Sequence, residues 1–249
     1  MNAEEFDTLI DDALTTKASK KSGHQREVGR YWCSEIKKCV RASYLDFLGP
    51  ELKPIDIKQL GIFESAIASQ DKLVEILKNY IDDKFDIEDA VQAETKIRVE
   101  VGDGAYLSGR ADLLILFPND ETLVEIKSFG YSGAIKRLNN DHRYQIMPYL
   151  KHYGYKQGLF CYVDRATLAH QSYTQAWDEK IWKECVWRVK EKHYFIQNKE
   201  YPPPEAMLDI KMRKQCDWCP WLDICQDDWE SHEQSAQSAI LKPLPKEKK

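Results

Sequence analysis

The stretch GRADLLILFPNDETLVEIKSFG, residues 109–130, decides the fold. Its two ends are rich in Leu, Ile, Val and Phe, which is typical of buried or half-buried strands, and the polar PNDE between them predicts a turn. Residues two apart in a strand point to one face, so Glu125 and Lys127 lie on the same side, and a tight turn sets Asp112 almost opposite Glu125. The stretch therefore predicts an antiparallel hairpin that gathers two carboxylates and an amine.

Ionised side chains are rare inside apolar strands unless they are paired or functional. Two carboxylates can hold a hard divalent cation through their oxygens, and a neighbouring amine can polarise an attacking water or a phosphate oxygen. We therefore predict a Mg²⁺ or Mn²⁺ site at Asp112 and Glu125, with Lys127 beside the reacting atoms. The alternative is a structural ion pair between Lys127 and one of the carboxylates on a solvated face of the sheet.

The length and composition of the chain fit one domain with short appendages. It has 249 residues, of which 43% are hydrophobic and 31% charged, so it can bury the core of a single α/β or α+β unit. The first residues are acidic and then basic, without the apolar run of a signal peptide, and no stretch is apolar enough to span a membrane. We therefore expect a cytoplasmic protein.

The net charge of −5 does not favour binding of nucleic acid by the whole surface, because such binding needs Lys and Arg to neutralise phosphates. Any nucleic-acid site must then be a local basic patch. The candidates near the hairpin in sequence are Lys127, Lys136, Arg137, His142 and Arg143. The basic tail KPLPKEKK, residues 242–249, is a further candidate, with ordinary solvated charge as the alternative.

The spacing of apolar residues predicts the remaining elements of the chain. A helix over Ala3–Leu14 and a polar linker come first, and further helices are predicted over residues 31–48, 57–85, 134–155 and 179–196. Strands are predicted over residues 94–101, 105–117, 122–129, 157–163 and 170–177, the first three of them consecutive and antiparallel. We expect a peripheral segment over 1–30, one domain over 31–229 and a polar tail over 230–249.

This order of elements and residues resembles the PD-(D/E)XK nuclease superfamily, and within it the RecB-like exonucleases. The resemblance covers most of the chain. In that family a helix, three antiparallel strands, a helix and a further strand form the core, with Asp on the second strand and Glu-x-Lys on the third. Asp112, Glu125 and Lys127 match these positions. The resemblance implies a restriction-endonuclease-like core, with a mixed central sheet flanked by helices.

Two further marks of the family concern the helices on either side of the strands. Its Gln-x-x-x-Tyr element is matched by Gln145 and Tyr149, which share a helical face toward the nucleic-acid backbone, although Pro148 is expected to strain that helix. The preceding helix usually supplies a His as metal ligand. In the matching region this chain has Glu64, whose carboxylate is an acceptable ligand for Mg²⁺ or Mn²⁺, and the alternative is an exposed helical glutamate.

The cysteines form a second constellation. Seven cysteines without an export signal indicate reduced thiols or metal ligands rather than disulfides. Cys216, Cys219 and Cys225 are spaced C-x2-C-x5-C, which can wrap one centre but leaves an iron–sulfur cubane or a tetrahedral zinc site one ligand short. A fourth cysteine must come from elsewhere, and we interpret Cys161 and Cys185 as core residues.

RecB-like exonucleases with an iron–sulfur cluster, including the CRISPR-associated Cas-four proteins and the AddB-type nucleases, take the fourth ligand from just before the nuclease core. Cys39-x-Arg41 is similar to their Cys-x-Arg element, and Cys33 is the rival. The resemblance implies a 4Fe-4S cluster on Cys39 and the three C-terminal cysteines, with zinc in the same thiolates as the alternative. Such a centre clamps the two ends of the domain together, and Trp218 and Trp221 are expected to pack beside it.

Three classes of function remain open. The first is a metal-dependent DNA exonuclease that cleaves single-stranded DNA or DNA ends, in recombination, repair or CRISPR spacer processing, with a cluster held by segments 31–48 and 205–229. The second is a catalytically weak or inactive nuclease fold that binds DNA as the partner of a Cas integrase or recombination complex. The third is a zinc-stabilised binding module with no nuclease history.

Overall fold

The structure, a computed structural model, describes residues 3–19, 26–50, 57–85, 89–117, 120–130 and 138–228. Some sequence predictions lie wholly or partly outside these ranges: the polar linker after the first helix, Pro118 and Asn119 of the PNDE turn, the helix start at 134, the basic residues Lys136 and Arg137, and the tail 230–249. Within the described part of the chain, no helix has the length and apolar character needed to cross a membrane.

Helices and strands follow one another largely as the apolar spacing predicts. The helices are α1 (Ala3–Ser19), α2 (Val40–Leu48), α3 (Ile57–Phe85), α4 (Asn140–Tyr153), α5 (Glu179–Asn198) and α6 (Glu205–Leu208). The strands are β1 (Arg30–Trp32), β2 (Val91–Gly102), β3 (Ala105–Phe117), β4 (Asp120–Phe129), β5 (Gln157–Asp164) and β6 (His170–Ala176). Short 3₁₀ turns span Cys33–Glu35 and Arg213–Trp218, and residues 222–228 are helical.

The strands form one six-stranded mixed sheet in the order β1-β3-β4-β5-β6, with β2 on the other edge of β3. Strands β2, β3 and β4 are antiparallel to one another in succession, β5 is parallel to β4, and β6 returns antiparallel to β5. The three consecutive antiparallel strands are therefore confirmed. So is the predicted α/β class, because helices pack on both faces of the sheet.

The sheet opens along one edge of β3. Strand β2 pairs with nearly the whole of β3 on one side, whereas β1 pairs with residues 106–108 and β4 with residues 113–117 on the other. Residues 109–112 therefore have no described strand beside them on that edge. Asp112 Oδ2 accepts the backbone N–H of Ile126 at 2.6 Å, which satisfies a donor that the strand ladder leaves free. The opening places Asp112 where β3 and β4 part.

Helices cover the two faces of the sheet with separate cores. α4 and α5 bury the larger core, to which Leu123 belongs. α3 covers the opposite face over a smaller core that includes Val124 and Ile126. Because side chains alternate along a strand, Glu125 and Lys127 project toward α4 rather than toward α3.

The helix predicted over residues 31–48 is wrong in its first half. Residues 30–32 pair with β3 as strand β1, Cys33–Glu35 form a 3₁₀ turn, and α2 begins only at Val40. Helical spacing of apolar residues does reach back to 31, but the backbone of this segment finds its hydrogen-bond partners in β3. Tertiary pairing thus overrides the local pattern.

The first helix is longer than predicted. It was expected to end at Leu14 before a polar linker, but α1 continues to Ser19. The added residues include Lys and Ala, which favour helices, so their polarity did not indicate a linker. The other helix and strand ends differ from prediction by a few residues.

Candidate active site

The three hairpin residues lie together at the opening of the sheet. Lys127 Nζ donates to Glu125 Oε1 at 2.7 Å. The strand pairing of the hairpin ends with Leu113 opposite Val124, so the next positions, Asp112 and Glu125, face each other across the opening. The Glu125 side chain is 1% exposed, which makes it one of the largest fully buried side chains of the protein.

Helix α4 adds two side chains from above the sheet. Gln145 Oε1 accepts a hydrogen bond from Lys127 Nζ at 2.8 Å, and Gln145 Nε2 donates to Glu125 Oε1. Tyr149 lies one turn further along, buried, with its hydroxyl beside Gln145 and the thiol of Cys33. The structure therefore brings both residues of the predicted Gln-x-x-x-Tyr element to the acidic pair.

Helix α4 is continuous through Pro148. A proline inside a helix has no N–H, so the carbonyl four residues earlier loses its partner. That carbonyl belongs to Tyr144, and it accepts the thiol of Cys185 from α5 at 3.6 Å. The expected strain does not interrupt the helix, and Gln145 and Tyr149 stay on one face.

Burial and mutual repulsion disfavour two negative charges at this site. The pKa of Glu125 is raised to about 8, first by burial and then by the Asp112 carboxylate, while Lys127 acts in the opposite direction. Burial also raises the pKa of Asp112 above its usual value, against the lowering effects of Lys127 and the Ile126 N–H. One lysine therefore does not neutralise the pair, and a second cation would favour the ionised carboxylates.

The donor set fits a divalent cation. Glu125 Oε2 is buried and receives no hydrogen bond from a donor among the described residues, which is rare for a buried carboxylate oxygen. The carboxyl group of Asp112 lies within hydrogen-bonding reach of Glu125. Carboxylate oxygens are the ligands that Mg²⁺ and Mn²⁺ prefer. No group of three or more acidic, His or Cys side chains in the described part of the chain is arranged to hold a metal ion, so Asp112 and Glu125 are the two protein ligands that the geometry offers.

Glu64 lies half-buried on α3, the helix from which Gln70 reaches Asp112. Among the described residues, Glu64, Asp112 and Glu125 do not form a group of three side chains arranged to hold a metal ion. The role of Glu64 as a metal ligand stays a prediction.

Two side chains near Asp112 were missed in the sequence. Glu94 on β2 faces Asp112 on β3, between the pairs Ala93–Leu113 and Thr95–Ala111. Its φ of 52° is unusual for a residue other than glycine. It is held by Arg110 Nη1 at 3.0 Å and by Gln70 Nε2 at 3.5 Å. Gln70 also hydrogen-bonds to Asp112. The pairing of Glu94 with Asp112 follows from the register of the predicted β2–β3 hairpin, which was not worked out from the sequence. Gln70 reaches Asp112 through the packing of α3, for which the sequence gives no local signal.

Gly109 also contributes to the site. A Cβ at this position would lie 2.8 Å from the Tyr149 hydroxyl and 3.0 Å from Cys33 Sγ. A larger residue would displace the tyrosine, since such contacts are shorter than side chains tolerate. The glycine in the opening of the sheet therefore lets Tyr149 approach the strand.

The basic patch proposed from the sequence is weaker than expected. His142 Nδ1 is 2.7 Å from the Tyr162 hydroxyl, and burial and the nearby Lys127 lower its pKa to about 4, so it is neutral at pH 7. Arg143 is engaged by Gln175 at 2.8 Å and by Asp178 at 3.4 Å. Of the described candidates, Lys127 alone is seen to contact the acidic pair.

The four predicted cluster ligands line one cavity of about 160 Å³: Cys39, Cys216, Cys219 and Cys225. Cys39 acts electrostatically on each of the other three thiols. The rival Cys33 lies elsewhere, in the core beside Tyr149. None of the described cysteines forms a disulfide. The four around the cavity do not lie close enough together to hold a single metal ion as they stand. Four soft ligands around one space fit a 4Fe-4S cluster or zinc in donor type.

The other two cysteines lie away from this cavity. Cys185 is fully buried in the larger core. Cys161 is partly buried and packs against the smaller core.

Hydrogen bonds join the segment that carries Cys39 to the C-terminal segment that carries the other three cysteines of the cavity. Gln215 Oε1 accepts the N–H of Cys39 at 2.9 Å, and Gln215 Nε2 donates to the carbonyl of Lys37 at 2.8 Å. Trp221, 3% exposed, donates from Nε1 to Asp46 Oδ1 at 2.9 Å. Trp218 lines the cavity but is 75% exposed. The structure therefore packs one tryptophan beside the cysteines and leaves the other largely in solvent.

Replacing Gln215 with Leu is expected to lower the free energy of unfolding by about 1–3 kcal/mol, because the Cys39 N–H and the Lys37 carbonyl lose their partners. Urea denaturation measures this change. Gln171→Leu, at an exposed position of β6, is the control and should shift stability by less than about 0.5 kcal/mol. An equally small effect of Gln215→Leu would show that this side chain does not hold the segments together.

Comparison with known proteins adds support for the fold. No family model matches the chain, and no curated protein is similar to it. The crystal structure of SSO0001 is similar over 87% of this chain and 96% of its own, with 19% identity and a TM-score of 0.58. That likeness shows a shared fold.

Two more distant structures are exonucleases. A phage-related exonuclease from Haemophilus somnus 129PT is 12% identical, with a TM-score of 0.44, and covers 69% of this chain and 96% of its own. The alkaline exonuclease LHK-Exo from Laribacter hongkongensis is 13% identical, with a TM-score of 0.39, and covers 76% and 96%. Both likenesses are too weak to support a conclusion about this chain.

Proposed function

We propose that this protein is a metal-dependent deoxyribonuclease that hydrolyses phosphodiester bonds in single-stranded DNA or at DNA ends. One observation supports this most: Asp112, Glu125, Lys127 and Gln145 converge where β3 and β4 part, and a buried oxygen of Glu125 receives no hydrogen bond from a described donor. A solvated structural ion pair, the alternative interpretation, does not require a buried carboxylate or the glutamine above it.

Asp112 and Glu125 would hold Mg²⁺ or Mn²⁺, which in such sites lowers the pKa of a bound water and neutralises charge on the phosphate. Lys127 holds its ammonium group beside Glu125, where it can position a water or a phosphate oxygen. Gln145 orients both the amine and the carboxylate through its two hydrogen bonds. The Tyr149 hydroxyl in turn orients Gln145.

We further propose that the four cysteines around the cavity hold a 4Fe-4S cluster, with zinc as the alternative occupant. The role of this centre is structural, because it would join the start of α2 to the C-terminal segment, which Gln215 and Trp221 already tie together. Loss of the centre would therefore act on stability first and on cleavage second.

The resemblance to Cas-four and AddB-type nucleases supports a role in recombination, repair or CRISPR spacer processing, with the corresponding complexes as partners. One observation favours a second candidate, a DNA-binding protein of weak or no activity: no third His, Cys, Asp or Glu among the described residues completes a metal-holding group with Asp112 and Glu125. In that case the fold would hold DNA for a Cas integrase or a recombination complex.

Anaerobically purified protein tests the proposal. Labelled single-stranded and double-stranded DNA should be shortened in Mn²⁺ or Mg²⁺, single strands and frayed ends first, and should stay intact in EDTA. DNA that is bound but never cut in either metal, by protein with a full complement of iron, would favour the second candidate. Cleavage that persists in EDTA would exclude a metal-dependent reaction.

A further inference from the structure

A second cavity, of about 380 Å³, lies between the first turns of α3, Gly130 at the end of β4 and the loop after β5. Its lining residues are Lys58, Gly61, Ile62, Ser65, Gly130, Arg165 and Ala166. Neither the family resemblance nor the acidic pair accounts for this cavity. It is open and far larger than the roughly 30 Å³ of one water molecule, so it can admit a phosphate group.

The lining of this cavity is basic. Lys58 and Arg165 both line it, and no carboxylate among the described residues does. Arg165 Nη1 donates to the carbonyl of Ile62 at 3.2 Å, which uses only one of the donors of the guanidinium group. The carboxylate of Asp164 offsets part of the Arg165 charge, but it does not line the cavity, and two cations in the wall favour an anionic ligand.

The loop that carries Arg165 is fixed. Asp164 Oδ1 accepts the N–H groups of Ala166 and Thr167 at 2.9 Å each, and the N–H of Arg165 donates to the carbonyl of Phe129 at 3.0 Å. The guanidinium group packs against Gly130, where a Cβ would meet Arg165 Nη2 at 2.1 Å. The arginine is therefore held in place before any ligand arrives, which lowers the entropic cost of binding.

The cavity is close to the acidic pair along the sheet. Gly130 follows β4 three positions after Lys127, which corresponds to about 10 Å of extended chain. Gly61 and Ser65 place the opposite wall on α3, next to Glu64. Lys127 projects toward α4 and the cavity lies beside α3, so a DNA strand that contacts both would pass the end of β4.

We propose that Lys58 and Arg165 form a subsite for a backbone phosphate of the DNA strand, a few nucleotides from the bond that is cut. The proposal rests on the nuclease function argued above, because it takes the acidic pair as the position of the scissile phosphate. The subsite reads no base, since phosphate contacts position a strand without reading its sequence.

Binding of a fluorescein-labelled single-stranded oligonucleotide, measured by anisotropy in EDTA at several salt concentrations, tests the subsite. Lys58→Ala and Arg165→Ala should each weaken binding by about tenfold or more. Each should also reduce the salt slope by about 0.7 for the phosphate contact that is lost. Lys78→Ala, on the same helix and paired with Asp89 at 3.6 Å, is the matched control and should bind like the wild type.

Two further variants keep the test independent of folding. Lys58 is exposed near the start of α3, so its replacement should leave the unfolding transition unchanged. Arg165→Lys keeps the charge and should retain more binding than Arg165→Ala. Unchanged affinity and salt slope in folded Lys58→Ala and Arg165→Ala would overturn the subsite, as would an equal loss in Lys78→Ala.

Cleavage in Mn²⁺ by the same preparations separates this inference from the proposed function. If the wild type cuts DNA but the variants bind it equally well, the subsite is wrong and the nuclease stands. If the wild type never cuts DNA but the variants bind it less well, the nuclease is wrong and a phosphate subsite stands.

Discussion

Glu125→Gln, Asp112→Asn and Lys127→Ala should each reduce metal-dependent DNA cleavage by about 1,000-fold or more. Each change removes a charge from the opening of the sheet while altering little volume in the first two cases. Without both carboxylates the site has too few oxygens for a divalent cation, and without Lys127 the group hydrogen-bonded to Glu125 and Gln145 is lost. Initial rates on labelled single-stranded DNA in saturating Mn²⁺ measure the effect.

The three variants should remain folded and keep their iron. A buried carboxylate whose pKa is raised to about 8 does not stabilise the metal-free fold by its charge, so Glu125→Gln should unfold no earlier than the wild type in EDTA. Glu100→Gln and Lys96→Ala, at exposed positions of β2, are the matched controls and should cut at the wild-type rate. Full activity in any of the three site variants would refute the role of that residue.

Replacing Cys219 or Cys39 with Ala should give colourless, poorly soluble protein. Either change leaves three of the four thiols around the cavity, so one iron of a cubane would lack its protein thiolate and the cluster would become labile. The lost cross-link spans most of the chain, from α2 to the C-terminal segment, and closures of that span are worth on the order of 4 kcal/mol. Visible absorption, iron content and thermal unfolding under anaerobic conditions measure the loss.

Cys161→Ala is the matched control for this experiment. It removes a thiol from the edge of the smaller core and should leave the colour and the iron content unchanged. A brown and stable Cys219→Ala protein would exclude Cys219 as a ligand. If the wild-type protein is colourless and contains one zinc per chain, zinc and not an iron–sulfur cluster occupies the cysteine site.

The central hairpin could be predicted from the sequence because its signals are local. Apolar runs on both sides of PNDE define two strands, and a short turn leaves little freedom in the register between them. The observed pairing of Leu113 with Val124 follows from that geometry and sets Asp112 opposite Glu125. The face shared by Gln145 and Tyr149 likewise follows from helical periodicity alone.

Contacts between distant segments could not be predicted in the same way. Strand β1 forms because residues 30–32 meet β3, which no spacing within residues 31–48 reveals. Gln70 reaches Asp112 through the packing of α3. The tight approach of Tyr149 to Gly109 also depends on the opening in the sheet.

The cysteine site could be predicted from the sequence in part. Their spacing at 216, 219 and 225 indicated one shared centre, but spacing could not choose between Cys33 and Cys39 as the fourth ligand. The two differ in the structure by their surroundings: Cys33 packs beside Tyr149, and Cys39 lines the cavity with the other three.

Manganese binding tests the central claim, that Asp112 and Glu125 together hold a divalent cation, most directly. Titration followed by electron paramagnetic resonance should show Mn²⁺ bound to the wild type. It should show none bound at the same concentrations to the Asp112→Asn, Glu125→Gln double variant, whose iron content and unfolding transition should be normal. Undiminished manganese binding by the folded double variant would contradict the assignment of the acidic pair as the metal site.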